Sequence, residues 1–313
     1  MINIEQIKAT IKPLTFSGGK LSSEEEAYSR YYGIDLDVQI AGVSHQMGFI
    51  ETRLCRIVGH VYQPVNSKGT FFLVHGYYDN VGLYGHVIRL LLQQQYTVCT
   101  YDLPGHGLSD GKRATIDDFS SYTQVLTEVI EHVQGHLPKP WHGYGQSTGC
   151  AILTEFLLER TKAGGDLVLD KIVLSAPLVR PYRWSWGRIQ LYLLRPFIHQ
   201  LPRHFTNNSR NQAFLEFARK EPLAPRILPV EWVNAMDRWI RRLQKESSKI
   251  NCDPFILQGT HDRTVDAAYN IPFLKKLYKQ PKIFMLEGAG HHLPNELPET
   301  RRQYMEWLSS VLQ

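Results

Sequence analysis

Short apolar runs recur along the chain at TFFLV (70–74), YTVCTY (96–101), Trp141 to Tyr144, KIVL (171–174), PFIL (254–257) and KIFML (282–286). Between them lie segments with helical spacing at 85–95, 116–134, 149–161, 267–277 and 300–312. A short continuous apolar run reads as a strand buried on both faces of a sheet, and a helix between two such strands lets them pair in parallel. This alternation leaves little choice of architecture. It predicts an α/β fold with a mostly parallel, doubly wound sheet. The β-branched and aromatic residues from Gly48 to Tyr62, punctuated by Gly59 and Pro64, predict two further strands ahead of the first parallel one.

One interval breaks the rhythm. Between Ser175 and Pro254 about 75 residues intervene, where a crossover needs about a dozen. A helical cap inserted after the sixth strand accounts for them, with boundaries at 180–249. Its clearest element is Val230 to Lys245, where Trp232, Val233, Met236, Trp239, Ile240 and Leu243 share one face and Asn234, Asp237, Arg238, Arg241, Arg242 and Lys245 the other. The remaining organisation is an N-terminal extension (1–40) and a body formed by 41–179 and 250–313. The extension is expected to be peripheral, with one helix at Ser23 to Tyr32 opening on capping and acidic residues. A 313-residue chain is long enough for both body and cap. With 43% apolar and 21% charged residues it is of ordinary globular composition, which excludes disorder and fibrous repeats.

The pentapeptide Gly145-Gln146-Ser147-Thr148-Gly149 falls directly after a predicted strand and directly before a predicted helix. A GxSxG in that context places a serine on a strained turn, where small neighbours let strand and helix approach it. A serine hydroxyl is a poor nucleophile at neutral pH and needs a base and an acid that orients the base. Asp262 follows the PFIL strand and His291 follows the KIFML strand, both at the carboxyl edge of the sheet. The chain order Ser, Asp, His is that of α/β-hydrolases. Asp266 and His292 remain the alternatives at the acid and base positions. An oxyanion needs two donors. The N–H of Thr148, at the start of the helix, supplies one, and the N–H of Tyr77, in the loop His75-Gly76-Tyr77-Tyr78 after the TFFLV strand, supplies the other. His75 is read as a support for that loop, and Asp102 and His106 in YDLPGHGLSD as turn residues that hold backbone.

Other chemistries lack their signatures. No HExxH, no GxGxxG after a strand and no Walker-type loop occurs, so no metal and no cofactor are expected. Cys55, Cys99, Cys150 and Cys252 are widely spaced, which argues against a disulfide framework. No run approaches the ~18 apolar residues of a membrane span, and no secretory signal opens the chain. The expectation is a cytoplasmic protein.

The net charge of +5 is too small to imply nucleic acid. It is unevenly distributed. Residues 180–249 hold 14 basic and 5 acidic residues, a balance of +9, and the other 21 basic and 25 acidic residues give −4. Four of the six tryptophans, Trp184, Trp186, Trp232 and Trp239, lie in the same segment. Basic residues among amphipathic aromatics suit a peripheral contact with a membrane surface. The alternative is an ordinary cap whose aromatics line its own core.

The set HGYYDNVGLYG (75–85), YDLPGHGLSDG (101–111), GYGQSTG (143–149), LQGTHDRTVD (257–266) and EGAGHHLPNE (287–296) resembles the monoglyceride lipase and lysophospholipase branch of the α/β hydrolases, also described as serine aminopeptidase-like. The resemblance spans roughly 68–312. It implies the triad Ser147, Asp262 and His291, the oxyanion donors Tyr77 and Thr148, and a cap over an acyl pocket. Gln146 and Thr148 depart from the commoner family residues beside the nucleophile, which bears on substrate preference. The expected function is a serine-dependent carboxylic ester hydrolase, acting through an acyl-enzyme on a monoacylglycerol, a lysophospholipid or another small ester. An aminopeptidase of the same fold is the alternative, and a non-catalytic hydrolase-like binding protein the alternative from another class.

Overall fold

The computed structural model describes residues 2–16, 18–194 and 196–312; Met1, Ser17, Arg195 and Gln313 lie outside the described residues. The elements run α1 (Ile4–Thr10), α2 (Ser23–Tyr32), α3 (Leu36–Gln39), β1 (Val43–Glu51), β2 (Arg56–Pro64), β3 (Thr70–Val74), a 3₁₀ turn (Val81–Tyr84), α4 (Gly85–Gln93), β4 (Thr97–Tyr101), α5 (Ser120–Val133), β5 (Trp141–Gln146), α6 (Thr148–Lys162) and β6 (Ile172–Ser175). Then come α7 (Trp184–Leu194), β7 (Gln200–Pro202), α8 (Gln212–Lys220), β8 (Ile227–Pro229) and α9 (Val230–Gln244), before β9 (Phe255–Gly259), α10 (Ala267–Leu277), β10 (Lys282–Leu286), a 3₁₀ turn (Leu293–Asn295) and α11 (Pro298–Leu312).

Eight strands form one sheet in the order β1-β2-β4-β3-β5-β6-β9-β10. Pairing is antiparallel from β1 through β2 to β4 and parallel from there on. The apolar runs are the parallel strands: every residue of β3 and β4 is buried, as the absence of alternation in TFFLV and TVCTY requires. Register brings the carboxyl ends level, with Val74 opposite Gly145, Gln146 opposite Ser175, and Ser175 opposite Leu257. After β3 the chain turns to one side for β4 and then crosses to the other for β5. Reversals of this kind open a crevice beyond the strand ends.

Three expectations need correction. The helix expected from Ile116 begins at Ser120, because the Asp118 carboxylate accepts from the Ser120 N–H (2.9 Å) and makes the preceding residues a turn. The insertion is not purely helical, since β7 and β8 pair antiparallel within it; strands of three residues leave no periodicity to read. Nor is the N-terminal segment peripheral. Tyr28, Ile34 and Leu36 are fully buried, and Phe49 of β1 exchanges backbone hydrogen bonds with Lys12 and Leu14 (2.8 Å each). Its helix α2 does start where the capping pattern places it. Ser22 and Glu25 form a reciprocal capping box, and Gly33 ends the helix in the left-handed region.

Candidate active site

Ser147 stands between β5 and α6 with φ 53° and ψ −109°, a conformation costly for any residue with a Cβ. The two glycines of the pentapeptide make the turn possible. A Cβ on Gly149 would lie 2.0 Å from the Val74 carbonyl oxygen, and one on Gly145 would lie 2.6 Å from the Cys150 nitrogen. The turn is held by the Ser147 N–H on Ser175 O (2.9 Å) and the Cys150 N–H on Ser147 O (3.0 Å).

Asp262 follows β9 and His291 follows β10. His291 Nδ1 lies 2.7 Å from Asp262 Oδ2. The same carboxylate accepts from the amides of Thr264 (2.8 Å) and Val265 (3.1 Å) and from Gln258 Nε2 (2.9 Å). Burial opposes charge on both groups, and their mutual attraction outweighs it. The Asp262 carboxyl is held below its ordinary range, and the His291 imidazole is raised above its own. An ionised Asp262 therefore faces the Nδ1–H of His291 and leaves Nε2 as the ring's other nitrogen.

The competing residues are engaged elsewhere. Asp266 caps α10 through the Tyr269 N–H (3.3 Å) and takes Arg180 Nε and Nη2 on one oxygen (2.9 and 2.6 Å). His292 turns toward the loop after β3, its Nε2 3.4 Å from Asp79 Oδ2. His75 is buried, with Nε2 accepting from the Leu103 N–H (2.9 Å) and Nδ1 against Gly76 O (2.7 Å). Burial lowers its pKa, and its two backbone contacts hold the loop. Asp102 accepts from the Val81 and Leu108 amides (2.8 Å each), and His106 Nδ1 lies 2.9 Å from Pro104 O.

The loop carrying Tyr77 is braced from three sides. The Tyr77 ring stacks on Trp232 of α9 (3.6 Å, 13°), and its hydroxyl donates to Ala114 O (2.8 Å). Tyr84 OH accepts from the Gly76 N–H (3.1 Å) and donates to Asp79 (2.6 Å). Among the described residues, the amides of Tyr77 and Thr148 have no protein acceptor. Tyr77, Ser147, Thr148 and His291 line one cavity of about 510 Å³, whose remaining wall is largely apolar and comes mostly from the insertion. Among the described residues, no three His, Cys, Asp or Glu side chains group as metal ligands.

Several contributors escape a reading by motif. Gln146 Nε2 donates to His291 O (2.9 Å), tying the serine turn to the histidine loop. Asn208 of the insertion accepts the His291 and His292 amides on its carbonyl oxygen (2.8 Å each). Glu296, fully buried, accepts from the Gly290 amide (2.6 Å) and the Arg210 amide (3.0 Å). Gln146, inside the pentapeptide, and Glu296, at the end of EGAGHHLPNE, lie within motifs, whereas Asn208 lies in none.

The model of the family described as serine aminopeptidase, S33, matches residues 65–298. The chain belongs to this hydrolase family. Among curated relatives of this S33 chain, human monoglyceride lipase is 28% identical over 249 residues, covering 76% of this chain and 80% of its own. Among solved structures, the monoacylglycerol lipase of Paleococcus ferrophilus superposes with a TM-score of 0.66 at 23% identity, over 78% of this chain and 95% of that one. A soluble variant of monoglyceride lipase from Saccharomyces cerevisiae, solved with a substrate analog, gives 0.74 at 14% identity, over 88% and 97%. These structures share the α/β-hydrolase fold with the S33 chain.

Proposed function

We propose that the protein hydrolyses carboxylic esters of single-chain lipids through Ser147. The observation that carries this reading is the 2.7 Å contact of His291 Nδ1 with a buried, otherwise saturated Asp262, at the wall of a cavity that Ser147 also lines. In the proposed cycle Ser147 Oγ attacks the ester carbonyl and its proton passes to His291 Nε2. Asp262 stays ionised and stabilises the imidazolium. The oxyanion accepts from the Tyr77 and Thr148 amides. Collapse breaks the ester C–O bond, and His291 returns the proton to the departing alcohol. Water, deprotonated by His291, then attacks the acyl-enzyme; the acyl–Oγ bond breaks, His291 returns the proton to Ser147 Oγ, and a carboxylic acid leaves.

The cavity is within the ~300–1,000 Å³ that small-molecule ligands occupy, and Trp184, Leu191, Leu215, Val233 and Met236 give it an acyl-binding wall. The monoglyceride lipase relatives support a monoacyl ester. An aminopeptidase would need a carboxylate for the substrate amine. The two carboxylates on the wall are already engaged, Asp79 by Tyr84 and Glu221 by Tyr32 and the Leu223 amide.

Arg203 favours a lysophospholipid over a neutral monoacylglycerol. Its guanidinium lies in the cavity wall between the rings of Tyr78 (4.1 Å) and Phe205 (4.3 Å). Among the described residues it has no carboxylate within salt-bridge distance, so it has donors for an anionic group. The outer face of α7 supports a peripheral membrane contact: Trp186, Ile189 and Leu193 are exposed along one side, followed by Phe197. Among the described residues no helix is long and apolar enough to cross a membrane.

The decisive test is hydrolysis of p-nitrophenyl esters by wild type and Ser147→Ala. A loss of at least ~10⁴-fold in kcat is expected. Undiminished turnover in the variant overturns the mechanism, and an inert wild type favours the binding-protein reading.

A further inference from the structure

Glu221, at the end of α8, is a carboxylate with 1% exposure inside the cavity wall, and no cation lies within salt-bridge distance of it among the described residues. Three neutral donors satisfy it instead. The Tyr32 hydroxyl (2.5 Å) and the Leu223 amide (2.8 Å) donate to Oε2, and Asn80 Nδ2 (3.3 Å) donates to Oε1. Each donor belongs to a different part of the molecule: α2, ahead of the segment matched by the family model, the insertion, and the loop that carries Tyr77. A buried carboxylate that loses a donor is strongly destabilised, so these three parts are held in one arrangement.

Packing reinforces the junction. Tyr31 and Tyr32 meet Phe217 of α8 with ring centroids 5.6 and 5.8 Å apart. The Tyr32 ring also packs against the 3₁₀ turn at Gly82, where a Cβ would come within 2.3 Å of it. Gly82 in turn donates its amide to Asn80 Oδ1 (2.9 Å). Arg113 of the body donates to the Leu223 carbonyl, tying down the residues just after Glu221.

We infer that Tyr32 and Glu221 form a latch by which the N-terminal segment fixes α8, and so sets the shape of the acyl-binding wall. Helix α8 contributes Phe214, Leu215, Ala218 and Arg219 to the cavity. Tyr32 touches none of the groups proposed to carry out the chemistry. It is a positioning residue, and its effect falls on long acyl chains rather than on the acyl-transfer step.

The proposal builds on the lipid-ester reading, and its test reads binding apart from hydrolysis. Affinity for 1-O-dodecylglycerol, an ether with no ester to cleave, is measured by tryptophan fluorescence in wild type, Tyr32→Phe, Phe217→Ala, Glu221→Gln and the Tyr32→Phe/Glu221→Gln pair. Tyr32→Phe is expected to weaken binding about tenfold, and Phe217→Ala to act in the same direction. The pair should be no worse than its weaker member, as expected of two residues acting through one bond. KM for p-nitrophenyl laurate should rise in parallel, with kcat/KM for p-nitrophenyl acetate unchanged in Tyr32→Phe. Equal affinities of wild type and Tyr32→Phe, including binding by neither, overturn the latch. So does a proportional loss on both esters, which a general loss of folded protein would produce. An unreactive wild type that still shows the tenfold binding difference would refute the ester-hydrolase reading and leave the latch standing.

Discussion

The carboxyl edge of the sheet and the insertion above it treat apolar residues and charge in opposite ways. In the body, β3, β4 and β5 are buried throughout, and the chain outside the insertion carries a balance of −4. The insertion carries +9, and seven of the eleven exposed large hydrophobics among the described residues lie between Tyr182 and Leu201. A run buried on both faces has one stable placement, whereas a helix with apolar residues outside has satisfied only part of its hydrophobic surface. The difference separates two roles. In the proposed function the body positions the reacting groups and the insertion selects what they act on.

The sharpest break of that division comes from the body. Asp262→Asn should cost about 10⁴-fold in kcat, because the amide oxygen stays on the Thr264 and Val265 N–H groups and the NH2 then faces Nδ1, which must accept instead of donate. The same change has a signed pH consequence. In the proposed cycle His291 must be neutral to take the serine proton, and Asp262 raises its pKa. The acid limb of the wild-type pH–rate profile should therefore lie above the ordinary histidine value and move to lower pH in Asp262→Asn. A limb that stays in place contradicts the pairing.

A smaller effect is expected where insertion and body meet. Arg203→Met keeps much of the side-chain volume and removes the charge. Measured on lysophosphatidate and monoacylglycerol of the same chain length, the ratio of kcat/KM should fall roughly tenfold, the equivalent of one charge-assisted hydrogen bond. Equal losses on both lipids would reduce Arg203 to a member of the aromatic stack. The smallest effect belongs to the outer face of α7. Trp186→Ser combined with Phe197→Ser should lower co-sedimentation with anionic vesicles several-fold, since each ring withdrawn removes apolar surface from the lipid contact. Unchanged pelleting would falsify the docking surface.

Legibility in the sequence followed how local each interaction is. The helices Ser23–Tyr32 and Ala267–Leu277 and the strands Thr70–Val74 and Lys282–Leu286 have the bounds that patterning assigns, because caps and apolar runs act over a few residues. Asp237, assigned by periodicity to the polar face of α9, is instead buried and pairs with Arg241 (2.6 Å), since packing overrode the pattern there. The extension at 1–40 read as peripheral because its contacts, Leu14 with Phe49 and Tyr32 with Glu221, span long stretches of chain that leave no short-range signal.

The sequence alone determined the strand–turn–helix around Ser147, since the glycines at 145 and 149 are required by sterics within that unit and by the strand beside it. It also determined the order of the three groups along the sheet edge. Only the tertiary structure shows that His291 pairs with Asp262, while His292 faces Asp79 and Asp266 pairs with Arg180. A loop residue's direction depends on partners such as Asn208, Gln146 and Arg180, which the fold brings from other elements. The same holds for the wall of the cavity. Its shape rests on a buried carboxylate whose donors come from three separate segments, and no pattern within any one of them records that they meet.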